Sequence, residues 1–311
     1  MIESLDQQQN SATGVVMTAL ALQIAPARLS AARVGADGML EDARDLSTPD
    51  SGVWEECRKL LSDLTSGDEV TGVGIACVGP IDMAAGVAAP PTVPDWLSGF
   101  ELGEAVRELF PAASIRIALD GVCHALAEQL FGAARGVPDT VVVSVSSGIS
   151  GGVMMGGFVA VGRTGNTGHI GHVLVPGFDE PCLCGGRGCL EAIASEPAIV
   201  EWARRQGWSG ASVADLAVAA GAGDPVSTAA LGRAGTALGR ALASAAALLD
   251  IGLVVVGGEV AATGSAFWDP MGEAVAIHAR SSFLTGLRVV PSPLERPVLA
   301  GAGILATPAP A

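Results

Sequence analysis

One short stretch of the chain concentrates side chains that bind metal ions. Cys182, Cys184 and Cys189 lie close together, and His172 lies ten residues before the first of them. Three thiolates and one imidazole are a usual ligand set for a closed tetrahedral zinc site. The glycines between the sulfurs allow the tight backbone turns that such a knuckle needs. Three unligated thiols beside a loop histidine are the alternative, and the close spacing favours zinc.

Two other features have the residue types for proton transfer or phosphate binding. Asp120 stands at the start of a predicted helix, where an aspartate serves as a helix cap or as a general base. The segment Ser146–Gly152 is rich in serine and glycine and offers backbone N–H groups, although most such turns are simple hairpins. From spacing alone, the structural roles are favoured at both places.

Composition limits the classes of protein to consider. The chain has 311 residues, half of them hydrophobic, which suffices for two domains or one large one. Its net charge of −15 argues against a nucleic-acid partner, whose phosphates would be repelled. The polar N-terminus lacks the pattern of a signal peptide. Charged residues interrupt the longest apolar segment, 229–256, so we interpret it as a buried helix and strand and expect a cytoplasmic protein without membrane spans.

The elements that would position these residues alternate between strand and helix in two halves. The first half has predicted strands at 15–22, 28–34, 70–78 and 115–118, and predicted helices at 54–64 and 101–110. The second has predicted strands at 140–146, 152–161, 252–258 and 287–290, and predicted helices at 120–134, near 268–281 and from residues 195, 212 and 225. This alternation predicts an α/β fold with sheets covered by helices.

The residues around the cysteines resemble the signature of the ROK family, which groups bacterial sugar kinases with sugar-responsive repressors. The resemblance is carried by Gly168-x-x-Gly171-His172 followed by Cys-x-Cys-Gly-x-x-Gly-Cys-Leu-Glu, ending at Glu191, and it extends from about Val16 to the C-terminus. The family implies a two-domain actin-like, or ribonuclease H-like, sugar kinase fold. The zinc knuckle would lie in the second domain, and the active site in the cleft between the domains.

The resemblance also implies how the chain is divided. We expect a disordered leader at 1–12, an N-terminal α/β domain at 13–119, a C-terminal α/β domain at 120–298, and a helix or tail at 299–311 that packs back on the N-terminal domain. The leader is too short, and too poor in Arg and Lys, for the winged helix-turn-helix of the family's repressors. The family further suggests a homodimer.

The family pattern assigns roles on the sugar side. Asp120 matches the aspartate that takes the proton from the attacking sugar hydroxyl. His172 and Glu191 match residues that contact sugar hydroxyls, and His169 stands where the family has a further glutamate. Thr92, in a proline-rich loop, matches an asparagine of the family. The two asparagines that flank the family's aspartate are replaced here by apolar residues.

The phosphate-binding segments match the family less evenly. The first, Asp-Ile-Gly-Gly-Thr-Lys in the family, corresponds to Gln23–Arg28, which has lost the carboxylate and both glycines. Its proline, Pro26, has no N–H to offer a phosphate. The segment Ser146–Gly152 keeps most of the family's pattern. The residues expected at the nucleotide are Arg28, Ser147, Gly148, Gly151, Gly257 and Gly258.

Two functions follow from these matches. The first is an ATP-dependent sugar kinase, with structural zinc and Mg-ATP, that phosphorylates a hydroxyl of a hexose or hexosamine. The eroded first segment predicts weak ATP binding and weak or lost activity, as in a pseudokinase. The alternative is a non-catalytic protein that binds a sugar or a partner protein on the same scaffold. The retained Asp120, Ser147 and Gly148 favour the kinase, and the segment Gln23–Arg28 favours the alternative.

Overall fold

The computed structural model describes residues 17–65 and 67–307, and within them the chain forms two five-stranded sheets and one two-stranded sheet. The leader predicted at 1–12 lies outside the described residues. The α/β prediction is confirmed, because helices cover both large sheets.

The first large sheet combines an antiparallel meander with two parallel strands. Its strand order is β3-β2-β1-β4-β7, and β4 and β7 run parallel to β1. The elements of this half are β1 (Met17–Ile24), β2 (Arg28–Val34), β3 (Leu40–Ser47), α1 (Val53–Thr65), β4 (Glu69–Cys77), β5 (Ile81–Asp82), β6 (Val87–Ala88), α2 (Leu102–Leu109) and β7 (Ser114–Leu119). The short strands β5 and β6 pair with each other.

The second large sheet repeats the arrangement of the first. Its order is β10-β9-β8-β11-β12, again a meander followed by two strands parallel to the first strand of that meander. The elements are α3 (Asp120–Phe131), β8 (Thr140–Val145), β9 (Ile149–Met155), β10 (Phe158–Val159), α4 (Glu191–Ala194), α5 (Glu196–Arg205), α6 (Val213–Gly221), α7 (Pro225–Leu249), β11 (Leu253–Gly257), α8 (Ser265–His278), β12 (Arg288–Pro291) and α9 (Pro297–Ala306). The repeat is structural, since no repeat is visible in the sequence.

The sequence pattern does not predict strand β3. Its sequence, Leu-Glu-Asp-Ala-Arg-Asp-Leu-Ser, has no period-two apolar pattern, and seven of its eight residues are exposed. It forms the edge of the first sheet, where charged side chains are favoured because they discourage pairing with another chain. The strand predicted at 152–161 is also corrected: it is two strands, β9 and β10, separated by the turn Gly156-Gly157.

Each large sheet has its own apolar core, and helices α3 and α9 join the two halves. The long helices α7 and α8 pack on each other beside the second sheet, whereas α9 crosses back and packs on β1 and β4 of the first. Helix α3 packs on α9, β8 and β9. The predicted domain boundaries, after residues 119 and 298, fall at the start of α3 and in the first turn of α9. Among the described helices, none combines the length and apolar character needed to cross a membrane.

Candidate active site

A cavity of about 440 Å³ lies between the two sheets. The β1–β2 turn, the start of α3, the β8–β9 turn and the segment of the cysteine cluster all reach it. We call it the Asp120 cavity. It is lined by every residue that the sequence analysis assigned to the sugar or to proton transfer: Thr92, Asp120, His169, His172 and Glu191.

Asp120 is the first residue of α3, directly after β7. The N-cap residue of α3 is Leu119. Asp120 therefore does not have the helix-capping role that was the alternative to a general base. Its Oδ1 accepts a hydrogen bond from the Gly121 N–H at 2.7 Å. Burial raises the pKa of Asp120 to about 6, although the Gly121 N–H and the Ser150 hydroxyl oppose the shift. The carboxylate is therefore ionised at neutral pH and more basic than an ordinary aspartate.

Glu191 supplies a second carboxyl group to the same cavity. It begins α4, and its Oε2 accepts a hydrogen bond from the Ile149 N–H at 2.6 Å. Burial raises the pKa of Glu191 to about 7; the Ile149 N–H lowers it, and the nearby Asp120 carboxylate raises it further. Two carboxyl groups of different basicity thus face one cavity.

The two histidines of the signature differ in their surroundings. The Nε2 of His169 is buried and has no hydrogen-bond partner among the described residues. Burial lowers the pKa of His169, and the neighbouring His172 lowers it further. The imidazole of His169 is therefore neutral at pH 7. His172 is exposed, and its Nδ1 lies 3.8 Å from the Cys182 sulfur. Its other ring nitrogen is therefore not directed at the cysteines.

The metal-binding prediction can be tested against the positions of the donor atoms. One donor atom each from His172, Cys182, Cys184 and Cys189 lies within 4.8 Å of every other. The Cys184 and Cys189 sulfurs are 3.7 Å apart, and a tetrahedral zinc–thiolate site with Zn–S bonds of about 2.3 Å has an edge of about 3.8 Å. The Gly186 N–H also donates to the Cys184 sulfur. The four residues therefore fit a single metal ion, and Cys182 and Cys184 line the Asp120 cavity.

A second cavity, of about 510 Å³, adjoins the first. We call it the Gly257 cavity. It is lined by three of the residues that the family pattern assigns to the nucleotide: Arg28, Gly257 and Gly258. Four residues line both cavities and mark where they meet: Gln23, Ser144, Ser146 and Val298. Ser147 and Gly148, expected at the nucleotide, line the Asp120 cavity near this junction.

Gly151 lines neither cavity. It lies in β9, where a side chain would contact the Gly168 carbonyl, and its own carbonyl lies against Gly121. The glycine is required because α3 and the segment around Gly168 approach β9 closely. The segment Ser146–Gly152 is accordingly a shorter turn than predicted, since β9 already begins at Ile149.

Two further polar residues of the Asp120 cavity had not been identified from the sequence. Ser144 interrupts the valines of β8 and reaches the junction, so a lone serine in an apolar strand was the available signal. Asn166 donates to the Ile81 carbonyl at 2.6 Å and accepts from the Ile81 N–H at 2.9 Å. This pair of bonds ties the second half to β5, and nothing in the sequence near Asn166 indicated it.

Ion pairs flank the Gly257 cavity. Arg28 lies 3.7 Å from Glu259, across the gap between the β1–β2 turn and the end of β11. Arg296, just before α9, donates two hydrogen bonds to Asp45 of β3. The Arg296 guanidinium holds the pKa of Asp45 at about 2, against the opposing effect of partial burial. The positive charges near this cavity are therefore already paired with carboxylates.

The chain resembles known proteins in sequence and in fold. The sequence profile of the ROK family matches residues 20–307. An N-acetylmannosamine kinase of Escherichia coli O9:H4 (strain HS) is 37% identical over 247 residues, which are 78% of this chain and 84% of the relative. The ROK hexokinase of Thermus thermophilus has a TM-score of 0.76 at 29% identity, over 93% of this chain and 98% of that one.

A third relative is similar in fold. A ROK family glucokinase from Streptomyces griseus, solved in complex with glucose and AMPPNP, has a TM-score of 0.82 at 24% identity. The match covers 93% of this chain and 99% of the glucokinase. The chain therefore shares its overall fold with that glucokinase.

Proposed function

The chain belongs to the ROK family, and from this premise we propose that it is an ATP-dependent sugar kinase whose acceptor is a hydroxyl of an N-acylated hexosamine. The observation that carries the proposal is the junction of the two cavities. A sugar in the Asp120 cavity and a nucleotide in the Gly257 cavity would meet at Gln23, Ser144 and Ser146. A phosphoryl transfer needs its donor and acceptor held in that relation.

Asp120 would be the general base. Its carboxylate takes the proton of the sugar hydroxyl as the sugar oxygen bonds to the γ-phosphorus and the bond to the ADP oxygen breaks. A pKa of about 6 suits this role, because the group is ionised at neutral pH yet basic enough to accept a proton. Glu191, His169 and the free ring nitrogen of His172 would hydrogen-bond the other sugar substituents and orient the ring.

The choice of an N-acylated hexosamine has two supports. The relative that is 37% identical is named an N-acetylmannosamine kinase. The Asp120 cavity also has a substantial apolar wall, formed by Ala25, Pro26, Val78, Pro91 and Leu183. Such a wall suits the methyl group of an N-acetyl substituent better than the ring of a sugar that carries only hydroxyls.

We propose zinc as the ion held by His172, Cys182, Cys184 and Cys189. The ligand set and the sulfur–sulfur distance suit a closed zinc site, which would stabilise the fold of the knuckle. His172 would then link the knuckle to the sugar, because its Nδ1 faces the sulfurs and its other nitrogen remains available.

We further propose that phosphoryl transfer is slow. Mg-ATP would supply the phosphoryl group. Its phosphates need backbone N–H groups as donors, and its magnesium ion needs a nearby carboxylate. Gln23 at the junction is neutral, Pro26 has no N–H, and Arg28 is paired with Glu259. The same residues favour the alternative function, a protein that binds the sugar without phosphorylating it.

A coupled ADP-release assay with a panel of sugars tests the proposal. N-acetylmannosamine and N-acetylglucosamine should give product with Mg-ATP, and glucose and mannose should give less. Asp120→Asn should abolish turnover and leave sugar binding measurable by calorimetry, because an amide cannot accept the proton. Asp269→Asn, on the exposed surface of α8, is the matched control. Sugar binding without turnover in the wild type would support the alternative; a chain that binds no sugar would contradict both functions.

A further inference from the structure

A buried polar cluster lies on α3 beneath the Gly257 cavity. His124 and Glu128 have no solvent exposure, and the His124 Nε2 lies 3.4 Å from Glu128 Oε1. Neither ring nitrogen of His124 has a well-aligned hydrogen bond to the described residues. Buried charged and polar groups are costly unless they are well paired, so the cluster needs a reason other than packing.

Glu128 is bonded at both of its carboxylate oxygens. Its Oε1 accepts a short hydrogen bond from the Ser292 hydroxyl, and its Oε2 accepts from the Ala133 N–H at 2.7 Å. Burial raises the pKa of Glu128, but His124, Ser292 and the Ala133 N–H together outweigh burial and leave the pKa below its usual range. Glu128 is therefore an ionised carboxylate that fixes the Ser292 side chain by accepting its hydrogen bond.

The cluster supports the floor of the Gly257 cavity. Ser292 directly follows β12 and lines the cavity, and its hydroxyl oxygen accepts from the Leu294 N–H, which sets the turn after the strand. Gly257, the last residue of β11, also lines the cavity and lies so close to the His124 ring that a Cβ there would be 2.7 Å from its Cε1. Helix α3 thus contacts the C-terminal ends of two parallel strands, β11 through His124 and β12 through Glu128.

The same helix carries the proposed base. Asp120, His124 and Glu128 are spaced four residues apart, which places them along one face of α3. In the first turn of α3, Asp120 lines the cavity named after it. One and two turns later, His124 and Glu128 lie against residues of the Gly257 cavity. One rigid helix therefore spans both cavities.

From this juxtaposition we propose that His124 and Glu128 are positioning residues that hold the nucleotide floor, at Gly257 and Ser292, in a fixed relation to Asp120. This inference rests on the proposed kinase function. His124 and Glu128 line neither cavity, so they would touch neither the sugar nor the reacting atoms and would act through Ser292 and the end of β11.

The test uses Glu128→Gln in the 311-residue chain. A glutamine is neutral and has one acceptor oxygen where Glu128 uses two, so the charge-assisted bonds from the Ser292 hydroxyl and the Ala133 N–H cannot both be kept. We expect calorimetric binding of ADP to weaken about tenfold, as for the loss of a charged hydrogen bond, while binding of N-acetylmannosamine is unchanged. Glu201→Gln, which removes a surface carboxylate paired with Arg205, should change neither constant.

A double-mutant cycle with Ser292→Ala distinguishes positioning from general destabilisation. If Glu128 acts through Ser292, the double variant binds ADP no more weakly than the weaker single variant. Additive losses, or equal weakening of the sugar and ADP, would overturn the proposal. Should Glu128→Gln fail to fold, Ser292→Ala alone removes the same bond at a half-buried position and must show the same selective loss of ADP binding.

Hydrogen exchange separates this inference from the proposed function. Glu128→Gln should accelerate amide exchange at 253–258 and 288–294 and leave the segment 196–205 unchanged. If the wild type binds no nucleotide yet exchange at the floor accelerates, the kinase proposal fails and the positioning role remains. Unchanged exchange at the floor would refute the positioning role whatever the kinase assay shows.

Discussion

At the scale of single residues, the site depends on how burial raises the pKa of the Asp120 carboxyl group. Asp120 lies at the carboxyl end of β7, where Leu119 and the start of α3 remove it from most of the solvent. An acid whose pKa is raised in the folded state binds its proton more tightly there than in the unfolded chain. Its contribution to stability therefore falls as pH rises from about 4 to about 6, and its ionised form destabilises the fold at neutral pH.

Asp120→Asn should accordingly stabilise the protein while it abolishes turnover. The gain in the free energy of unfolding should be on the order of 2 kcal/mol at pH 8 and should nearly vanish at about pH 3, where the folded and the unfolded wild type both mostly carry the proton. Urea denaturation at the two pH values measures it. Asp269→Asn should be neutral at both. A loss of stability at pH 8 would show that the carboxylate is held by stronger bonds than those to Gly121 and Ser150.

The same titration predicts the pH dependence of any turnover. The rate should rise as pH increases through about 6, because the base must be unprotonated. The measurement is kcat from pH 5 to pH 8 with saturating sugar and Mg-ATP. A rate that is flat across this range would exclude Asp120 as the base.

At the scale of elements, the β1–β2 turn would decide how well the terminal phosphates of the proposed nucleotide are held. It joins Gln23 to Arg28 in a tight connection, closed by a hydrogen bond from the Ala25 N–H to the Arg28 carbonyl. Its position at the junction of the cavities supports the alignment of this segment with the family's first phosphate segment.

Gln23→Asp together with Ala25→Gly and Pro26→Gly should raise kcat by about 100-fold, the size of effect seen when a transition-state contact is gained or lost. The carboxylate would be restored at the junction, and one N–H would be regained. Gln23→Asn with the same two glycines is the control that lacks the charge. If the two triple variants have equal rates, the missing carboxylate is not what limits turnover.

The cysteine knuckle is the other element that can be tested alone. Cys184→Ala removes one of the four donors, and the zinc content of protein purified without added metal should fall from about one per chain toward zero, with a lower melting temperature. Leu183→Ser, at an adjacent side chain that is 92% exposed, should retain the metal. A wild-type chain that is folded and free of metal would contradict the zinc proposal.

At the scale of the whole molecule, α9 returns from the second half to seal the first sheet. It approaches β4 so closely that the backbone of Ala302 lies against Gly74, where a Cβ would collide with the carbonyl oxygen. The position of α9 also places Val298 at the junction of the cavities. The expected homodimer and the expected lack of nucleic-acid binding remain predictions at this scale.

Gly74→Ala should destabilise the protein by about 3 kcal/mol or more, because neither the strand nor the helix backbone can move aside cheaply. The free energy of unfolding in urea measures the loss. Gly272→Ala is the matched control: it lies within α8, has open space around its Cβ, and should be neutral or slightly stabilising. An unchanged stability for Gly74→Ala would mean that α9 is not packed against β4 in solution.

The sequence by itself determined the features that depend on neighbours along the chain. The four candidate metal-binding side chains lie within 18 residues of one another, so their spacing could be recognised in the sequence. The family resemblance that they carried is confirmed by the profile match. The alternation of strands and helices followed from local apolar patterns, and it was right for the buried strands β1, β4 and β8.

Only the tertiary structure decided the features that depend on distant pairing. Strand β3 is exposed and charged, so its place in the sheet comes from β2 and not from its own pattern. Gly151 proved to be a packing glycine because of segments 17 and 30 residues away in the chain. The hydrogen bond that the Ser292 hydroxyl donates to Glu128 joins residues separated by 164 positions. Contacts over such separations leave no periodic trace in a sequence, because each partner is selected by a neighbour that folding alone brings near.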